Sequence, residues 1–470
     1  MPPLMQVVQS AVRKTETGID AYSALHRVLD EFSHIVQSAM TRILLLRCVS
    51  FVVCCCCCCA TFAQYEPPNG IYPDAVFRSD IKTVRLNRAD WEISYPVAHI
   101  NDDDPLELTF DEVTETAKTY AYSIIHCDAA WQQSRVAVTD YMDGFESNYV
   151  RDYAYSFNTL IPYVHYRIPI PNIDVLLKLS GNYVILVYED GDEEHPVLCK
   201  RFSISESVVV IAATAIQARL TAYRNDRQQV DFVVHTANHP IENAAQDIKT
   251  VVVKNGQWHT AITGVRPLFI RRDELDYRHE KALIFPAGNE YRPLDTKSTR
   301  YTSTRMNAIV FEQPAYHFYP EPDVSRGKSR YLFHEDFNGR YSVQSEKTTG
   351  ENHDIATDYV YVHFALQTPP FPDGQVYVFG ALCNYACLPD NRMTYNPDKG
   401  QYEATLLIKQ GYYNYQYAFI ASKNPLIDDT LLEGSFSDTE NDYIVYVYHR
   451  ERMSRYDRLI GVTIVNSMRR

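Results

Sequence analysis

The sequence has few of the residues that build a disulfide scaffold or a membrane bundle. Only four of its 11 cysteines follow residue 63: Cys127, Cys199, Cys383 and Cys387. Four cysteines in about 400 residues cannot replace a hydrophobic core, so packing must hold the fold. Glycine and tryptophan are scarce, at 17 and 3 residues. No apolar run after residue 63 is long enough to span a bilayer as a helix, so we expect no transmembrane segment in the mature chain.

Positive charge is also in deficit. The formal net charge is −14, and residues 64–470 carry 40 basic against 55 acidic side chains, which makes −15. Nucleic-acid binding needs a basic face that neutralises phosphates. The composition therefore argues against a nucleic-acid partner.

Six of the cysteines form one uninterrupted run, Cys54 to Cys59. Adjacent cysteines reach disulfide geometry only with strain, and metal sites separate their thiolates by other residues. The stretch "MTRILLLRCVSFVVCCCCCCATFA" instead has the basic start, apolar middle and small-residue end of a secretory signal peptide. We predict a signal peptide at residues 40–63, cleaved after Ala63.

Residues 1–39 precede this segment and have the apolar spacing of a modest amphipathic helix. Either the start was assigned too early and Met40 is the first residue, or the extension is real. A further interpretation is that one of the cysteines carries a lipid anchor. Lipidation usually follows a small residue, whereas every cysteine here follows a bulky residue or another cysteine, so cleavage is favoured.

Tyrosine is the abundant residue, with 36 in the chain. Aromatic and β-branched residues favour strands, and tyrosine suits a half-buried sheet face with its hydroxyl in water. Alternating segments such as "DYVYVHFALQ" and "QYEATLLIKQGYYNYQYAFI" predict antiparallel strands, and "GNYVILVYEDGDEEHPVLCKRFSI" predicts a hairpin. The fold class that we predict is all-β, with tandem antiparallel β-sandwich domains.

The expected division places an N-terminal β domain at 65–204, a middle β domain with connecting chain at 205–335, a C-terminal sandwich at 336–450 and a tail at 451–470. Turn signals at Asn255-Gly256 and Pro372-Asp373-Gly374 fit this series of short strands. Helical periodicity is weak after residue 65.

The common catalytic patterns are not matched. "HEKAL" and "HEDFN" begin like zinc-protease helices, but neither has a second histidine four residues after the first. In "HCDAAW", His126 and Cys127 are strand neighbours, so their side chains point to opposite faces. We predict no enzyme activity, no cofactor and no catalytic metal. Acidic turns at 101–105 and 190–194 offer oxygens, but neither has the ligand spacing of a known calcium loop.

Three stretches go beyond general β sequence: Thr119–Asn172, Leu283–Arg300 and Glu433–Val462. In this order and spacing they resemble the plug protein family of the Bacteroidota type IX secretion system. The agreeing positions are His126, Cys127, Asp128, Trp131, Gly144, Phe145, Ser156, Asn158, Thr159, Gly288, Asn289, Glu290, Tyr291, Arg292, Glu440, Asn441, Asp442 and Tyr443.

The resemblance implies a non-enzymatic subunit in the periplasm, peripheral to the outer membrane. Such a protein closes the periplasmic mouth of the translocon barrel while no cargo is present, and its partners are that barrel and its associated subunits. The third domain also resembles immunoglobulin-like early-set modules, so the alternative is a cell-envelope glycan-binding protein. Exposed rings in a flat row on one sandwich face would favour that alternative.

Three smaller expectations concern individual residues. We expect Gly288 to adopt a backbone conformation that a side chain would forbid. We expect the forked guanidinium of Arg292 to donate hydrogen bonds to a carboxylate or a carbonyl group. Asn441 and Asp442 are expected to tie down the turn before a strand. Cys383 and Cys387 either pair across a loop or remain free, buried thiols.

Overall fold

The structure, a computed structural model, describes residues 65–100, 105–347 and 353–468. The predicted signal peptide with its cysteine run, the extension before it and most of the acidic turn at 101–105 lie outside these ranges. Residues 65–470 form one compact unit. The prediction of an all-β chain built from antiparallel sandwiches is confirmed.

The N-terminal sandwich contains the first twelve strands. These are β1 to β12, at Ala75–Val76, Ile81–Arg88, Val97–His99, Leu106–Glu112, Tyr120–Cys127, Met142–Gly144, Asn148–Tyr149, Asp152–Tyr155, Val164–Ile170, Val175–Leu177, Gly181–Glu189 and Leu198–Ser205. One sheet has the order β1-β12-β11-β5-β7, with β3 parallel to β12, and the other has the order β2-β4-β9-β8. The predicted hairpin is β11 with β12, and β6 pairs with β10 beside the two sheets.

The middle sandwich begins with β13 to β19. Their bounds are Val210–Gln217, Arg227–His235, Ile248–Lys254, Ile262–Thr263, Phe269–Arg271, Glu274–Asp276 and Ile284–Pro286. One sheet has the order β13-β14-β18-β17, with β19 also on β14. The other sheet is completed from the far end of the chain.

The C-terminal sandwich is built from β20 to β30. These are Arg292–Asp295, Met306–Glu312, Ala315–Pro320, Asp323–Val324, Tyr341–Val343, Tyr359–Gln367, Gly374–Phe379, Thr394–Asn396, Gln401–Lys409, Gly411–Ala421 and Asn424–Asp428. One sheet has the order β21-β22-β25-β28-β27, with β23 on β25. The facing sheet centres on β29, which pairs with β20, β24, β26 and β30.

The last two strands, β31 (Asp442–His449) and β32 (Arg458–Asn466), return to the middle sandwich in the order β16-β15-β31-β32. The observed pairing therefore differs from the expected division. Residues 451–470 contain a strand rather than only a tail, and β20 to β23 belong to the C-terminal sandwich. The alternation in "DYIVYVYH" identifies a strand but not its sheet, because β31 is buried on both faces.

Helices are short. In the ranges that the structure describes, the α-helices are α1 to α4, at Val138–Tyr141, Ala244–Asp247, His353–Ala356 and Thr430–Glu433. Single 3₁₀ turns lie at Pro68–Gly70, Thr221–Tyr223, Trp258–Thr260, Ala381–Cys383 and Pro389–Asn391.

The tyrosines are more deeply buried than the sequence suggested. Among the described residues, eleven of the twelve largest fully buried side chains are tyrosines, including Tyr166, Tyr359, Tyr415 and Tyr417. Several of their hydroxyls meet buried acceptors rather than water; for example, Tyr359 donates to Asp111 at 2.7 Å. The hydroxyls of Tyr120 and Tyr277 have no hydrogen-bond partner among the described residues. Tyrosine here fills the core and supplies the hydrogen-bond donors that buried carboxylates need.

Candidate functional site

We call the positions that agree with the plug family the family-type residues. Most of them lie where the three sandwiches meet. We call the contact of the N-terminal with the middle sandwich the first joint, that of the N-terminal with the C-terminal sandwich the second joint, and that of the middle with the C-terminal sandwich the third joint.

At the first joint, Trp131 crosses from the N-terminal sandwich to Trp258 of the middle sandwich. The two rings meet edge to face with centroids 4.7 Å apart, and the Arg201 guanidinium lies 4.7 Å from the Trp131 ring centre. Trp131 has φ +64° in the turn after β5. Asp128 holds that turn, because its Oδ1 accepts the N–H groups of Ala130 and Gln132 at 2.9 and 3.0 Å.

The same turn is tied to the middle sandwich by a buried carboxylate. The Ala129 N–H donates to Asp457 Oδ2 at 2.9 Å, and Lys249 Nζ reaches both Asp457 oxygens at 3.0 Å. Asp457 is completely buried. A carboxylate buried between two sandwiches and paired on each side resists their separation.

His126 and Cys127 lie on opposite faces of β5. His126 Nδ1 contacts Ser134 Oγ at 2.8 Å and Nε2 contacts the Ser180 carbonyl at 3.1 Å, while Cys127 packs in a different apolar cluster with Cys199. Burial lowers the pKa of His126 to about 4 and raises the pKa of Cys127. The two groups are therefore neutral at pH 7 and face apart, which is not the arrangement of a nucleophile with its base.

Gly144 and Phe145 lie on the open side of the N-terminal sandwich. Gly144 has φ +137°, and a Cβ there would come within 2.0 Å of the Asp174 carbonyl oxygen, so a side chain would force the backbone apart. Phe145 is 75 % exposed. Gly144 and Asn158 are exposed as well, but Phe145 is the one large apolar side chain among the family-type residues that faces solvent.

At the second joint, the loop after β8 docks on α3. Thr159 Oγ1 donates to Ser156 Oγ at 2.9 Å, and Asn158 turns the chain with φ +58°. The next N–H, that of Leu160, donates to Asp358 Oδ1 of the C-terminal sandwich at 2.6 Å. Ser156, Asn158 and Thr159 thus shape the loop that reaches the neighbouring sandwich.

A buried ion pair lies beneath this loop. Lys409 Nζ donates to Asp111 Oδ2 at 2.7 Å, and both side chains are fully buried. Tyr359 donates to the same oxygen at 2.7 Å, and His165 Nδ1 contacts Asp111 Oδ1 at 2.6 Å. Burial alone would raise the pKa of Asp111, but the Lys409 charge and these hydrogen bonds lower it to about 2.

At the third joint, "GNEYR" meets "ENDY". Gly288 has φ +70°, its N–H donates to Ser435 Oγ at 3.0 Å, and its carbonyl accepts Thr439 Oγ1 at 2.8 Å. Asn289 Nδ2 donates to the Glu433 carbonyl at 2.7 Å. Asn441 Nδ2 donates to the Ala287 carbonyl at 2.9 Å.

Asp442 contacts all three sandwiches. It begins β31 of the middle sandwich, and its Oδ2 accepts Tyr95 of the N-terminal sandwich at 2.9 Å. The same oxygen accepts Asn338 and Arg340 of the C-terminal sandwich, each at 3.3 Å. The Arg340 guanidinium also lies 4.4 Å from the Tyr95 ring centre. The side chains of three sandwiches therefore converge on one carboxylate.

The neighbours of Asp442 satisfy buried polar groups of the middle sandwich. Asn255 Nδ2 donates to Asn441 Oδ1 at 2.8 Å, and the Tyr443 hydroxyl donates to Gln228 Oε1 at 2.7 Å. Asn441 and Tyr443 are almost completely buried. Asn441 shares Gln228 with Tyr443 and shares Asn255 with Asp442, so the three "NDY" residues belong to one connected hydrogen-bond network.

Arg292 organises a charged cluster inside the C-terminal sandwich. Its Nε and Nη2 fork onto Glu433 at 3.0 and 2.9 Å, and its Nη1 reaches Asp323 at 2.8 Å. Tyr415 and Tyr417 donate to the other Asp323 oxygen at 2.7 and 2.8 Å. Burial would raise the pKa of Asp323, but the neighbouring guanidinium groups lower it.

Glu290 is buried without such a cation. Its Oε1 accepts the Tyr331 hydroxyl at 2.6 Å and the Glu440 N–H at 3.0 Å, while Oε2 has no hydrogen-bond partner among the described residues. The hydroxyl of Tyr291, the next residue, accepts a hydrogen bond from Gln257 Nε2 at 2.6 Å. Burial raises the pKa of Glu290 to about 7, and the nearby Asp336 and Glu440 add to the effect.

Sequence reasoning missed several residues at these joints: Asp111, Lys409, Asp457, Arg340 and Asp323. The available signal was a charge inside an apolar strand, as in "LELTFDE" and "ATLLIK". A charged residue in such a pattern indicates a buried pair. Cys383 and Cys387 are free thiols, and burial raises the pKa of each to about 12.

Two open spaces lie between the sandwiches. A cleft of about 530 Å³ separates β2 from β28, with Lys82, Thr83, Tyr361 and Thr405 in its lining. A smaller one of about 130 Å³ lies at the meeting of all three sandwiches, beside Tyr95.

A column of rings on the C-terminal sandwich bears on the glycan-binding alternative. Tyr319 stacks on His363 at 4.3 Å, His363 on His317 at 5.1 Å, and His317 on Tyr361 at 4.9 Å, with interplanar angles of 4°, 20° and 25°. Rings stacked in this way cover one another's faces. A sugar platform needs those faces open to solvent, so this column does not form the flat row that would favour glycan binding.

In residues 65–100, 105–347 and 353–468, no group of three or more histidine, cysteine or carboxylate side chains is placed to hold a metal ion. Over the same ranges no helix has both the length and the apolar content needed to cross a membrane.

A comparison with protein families covers the first of the three motif stretches, Thr119–Asn172. Residues 81–206 match the family model of the type 9 secretion system plug protein, 1st domain. The chain belongs to the type 9 secretion system plug protein family. This family membership indicates a role in protein secretion, and a structural rather than a catalytic one.

Solved structures extend the likeness. A hypothetical protein from Parabacteroides merdae is 35 % identical with a TM-score of 0.81, over 84 % of this chain and 99 % of its own. A native alpha-2-macroglobulin fragment from Escherichia coli, spanning domains NIE-MG1, is 11 % identical with a TM-score of 0.16, over 44 % of this chain and 91 % of its own, and that likeness carries no argument. No curated protein matches the chain significantly.

Proposed function

We propose that this chain is the plug subunit of the type IX translocon and closes the periplasmic mouth of the outer-membrane barrel when no cargo is present. It acts without catalysis, and its partners are the barrel and the barrel's associated subunits. The observation that carries the proposal is Asp442, whose carboxylate binds side chains of all three sandwiches. Sealing a wide pore requires a broad body that keeps its shape, and three sandwiches tied at one point meet that need.

Apart from the exposed Phe145, the family-type residues hold this body together rather than contact the barrel. His126, Asp128 and Trp131 serve the first joint, Ser156 to Thr159 the second, and residues 288–292 with 440–443 the third. Their hydrogen-bond partners lie on neighbouring elements of the same chain, which supports a scaffold role. The barrel then meets more exposed residues.

The protein works in the periplasm, at the inner face of the outer membrane. The signal peptide at residues 40–63 supports export, with cleavage after Ala63. Sequencing the N-terminus of the envelope protein should begin at or within a few residues of Gln64. An N-terminus at Met1, or an acylated cysteine, would contradict this route.

Deletion of the gene tests the plug function directly. An open pore wide enough for folded cargo also admits molecules that the outer membrane excludes, so the deletion strain should take up a large antibiotic faster. Surface charge contributes little to the seal, because charges are screened beyond about 8 Å at physiological salt. Complementation with the intact chain should restore the barrier.

A matched pair of variants sharpens the deletion experiment. Asp442→Asn weakens the convergence of the three sandwiches and should restore the barrier only partly, whereas Asp398→Asn, in an exposed turn, should restore it fully. Unchanged permeability in the deletion strain, with the barrel assembled and in place, would refute the plug function.

A further inference from the structure

The outer edge of β8 has backbone groups that no strand of the described chain pairs. β8 is the last strand of its sheet and bonds only to β9. The Ser156 N–H donates to the Tyr163 carbonyl, which fixes the alternation of the ladder. Residues 152 and 154 therefore bond to β9, while the N–H and C=O groups of Tyr153 and Tyr155 point away from the sheet.

Exposed aromatic side chains follow the same edge. We call the following residues the aromatic edge: Phe145, Tyr149, Tyr153, Tyr155 and Phe157. They are 75, 55, 47, 54 and 71 % exposed. Tyr149 lies on β7, which is the last strand of the facing sheet, so the aromatic edge crosses the open side of the sandwich. Exposed apolar groups concentrated beside a free strand edge mark an interaction surface.

The charge along this edge is acidic. Residues 140–157 carry four carboxylates and one guanidinium. Asp143 is paired with Lys178 and Asp152 lies 4.0 Å from Arg167, whereas Asp140 and Glu146 have no ion-pair partner in the described ranges. Both side chains are exposed. A second copy of this chain would bring the same negative charges to the edge, so a basic partner fits better.

We propose that the aromatic edge binds an extended, basic segment of a partner protein, which adds to the sheet as a strand beside β8. The segment bonds to the outward N–H and C=O groups of Tyr153 and Tyr155. Apolar side chains at alternate positions cover the tyrosine rings, and lysine or arginine side chains meet Asp140 and Glu146. Resting on the proposed function, we assign this segment to the translocon barrel.

Amide hydrogen exchange of the mature chain tests strand addition. In the free protein the Tyr153 and Tyr155 amides should exchange fast, while the Ala154 amide, bonded to β9, should exchange slowly and serve as the internal reference. Addition of the detergent-solubilised barrel should slow exchange at Tyr153 and Tyr155 at least about tenfold. The double variant Tyr153→Ser/Tyr155→Ser should weaken binding about tenfold or more, and Tyr301→Ser, an exposed tyrosine elsewhere, should not.

The outcomes separate this proposal from the plug function. A complex with the barrel that leaves the Tyr153 and Tyr155 amides exchanging at the free rate overturns strand addition and leaves the plug function intact. If the barrel does not bind at all, the plug function fails. Strand addition at the aromatic edge is then tested separately, with a blocked decapeptide of alternating lysine and valine. Protection by that peptide but not by its glutamate–valine counterpart supports the proposal, and protection by neither overturns it. Slow exchange in the free protein together with a dimer in sedimentation would assign the edge to a second copy and also overturn it.

Discussion

Two pairs of carboxylates near the third joint differ in what surrounds them. Asp323 and Glu433 lie among guanidinium groups, with Arg292 bonded to both. Glu290 and its half-buried neighbour Asp336 have no ion pair in the described ranges, and burial raises the pKa of Asp336 to about 6. The guanidinium groups lower the pKa of Asp323, and loss of a cation from this pair lowers the stability of the fold. Glu290 and Asp336 are easier to protonate, so the cost in stability of burying them depends on pH.

The largest effect is expected from Arg292→Ala. This change leaves Asp323 and Glu433 buried with less compensation, and breaking a buried pair costs about 3–5 kcal/mol of the free energy of unfolding. Urea unfolding with a thermal melt measures it, and Arg300→Ala at an exposed position is the control. Unchanged stability together with lost barrel binding would instead place Arg292 in the partner interface.

Lys409→Met should lower the free energy of unfolding by about 3 kcal/mol. This cost is slightly less than that of Arg292→Ala, because Asp111 keeps its contacts with Tyr359 and His165. The methionine fills most of the lysine volume, so the loss reports charge rather than packing. Lys399→Met, where the lysine is exposed, serves as the control and should change stability by less than about 0.5 kcal/mol. Equal effects for the two variants would contradict the buried pair.

Glu290→Gln should stabilise the protein at neutral pH. The folded-state pKa of Glu290, about 7, lies above the usual 4.5, so the folded state favours the protonated form. The native protein therefore loses stability as pH rises from 4.5 to 7, and the glutamine variant does not. The variant should be more stable by about 3 kcal/mol at pH 8 and equal to the native protein near pH 4. Parallel stability curves for the two proteins across this range would contradict the assignment.

The smallest effect is expected from Tyr415→Phe. It removes one hydrogen bond to Asp323, which keeps Tyr417 and Arg292, and the expected cost is about 1 kcal/mol. Combining it with Arg292→Ala tests whether the two act on the same carboxylate. The combined loss should then differ from the sum of the single losses.

Much of the fold could be predicted from local pattern. The alternation in "DYVYVHFALQ" gave β25, and Asn255-Gly256 forms its turn with φ +52° and +70°. The joints could not be predicted in this way. Asp442 and Tyr95 meet across 347 positions of the sequence, and only the assembled sandwiches bring them together. The burial of the tyrosine side chains could not be predicted either. The sequence pattern is the same whether a tyrosine hydroxyl is hydrated or bonded to a buried carboxylate.

The split of the middle sandwich has a consequence for the order of folding. β15 pairs with β31, so one of its sheets stays incomplete until the chain beyond residue 440 has been delivered. The C-terminal sandwich lies between these two halves in the sequence and can form from its own strands first. A chain that crosses the inner membrane in an extended state would thus keep its central domain open during most of its passage. On the proposed export route, closure of that sheet, and with it the assembly of the first and third joints, would be the last step of folding.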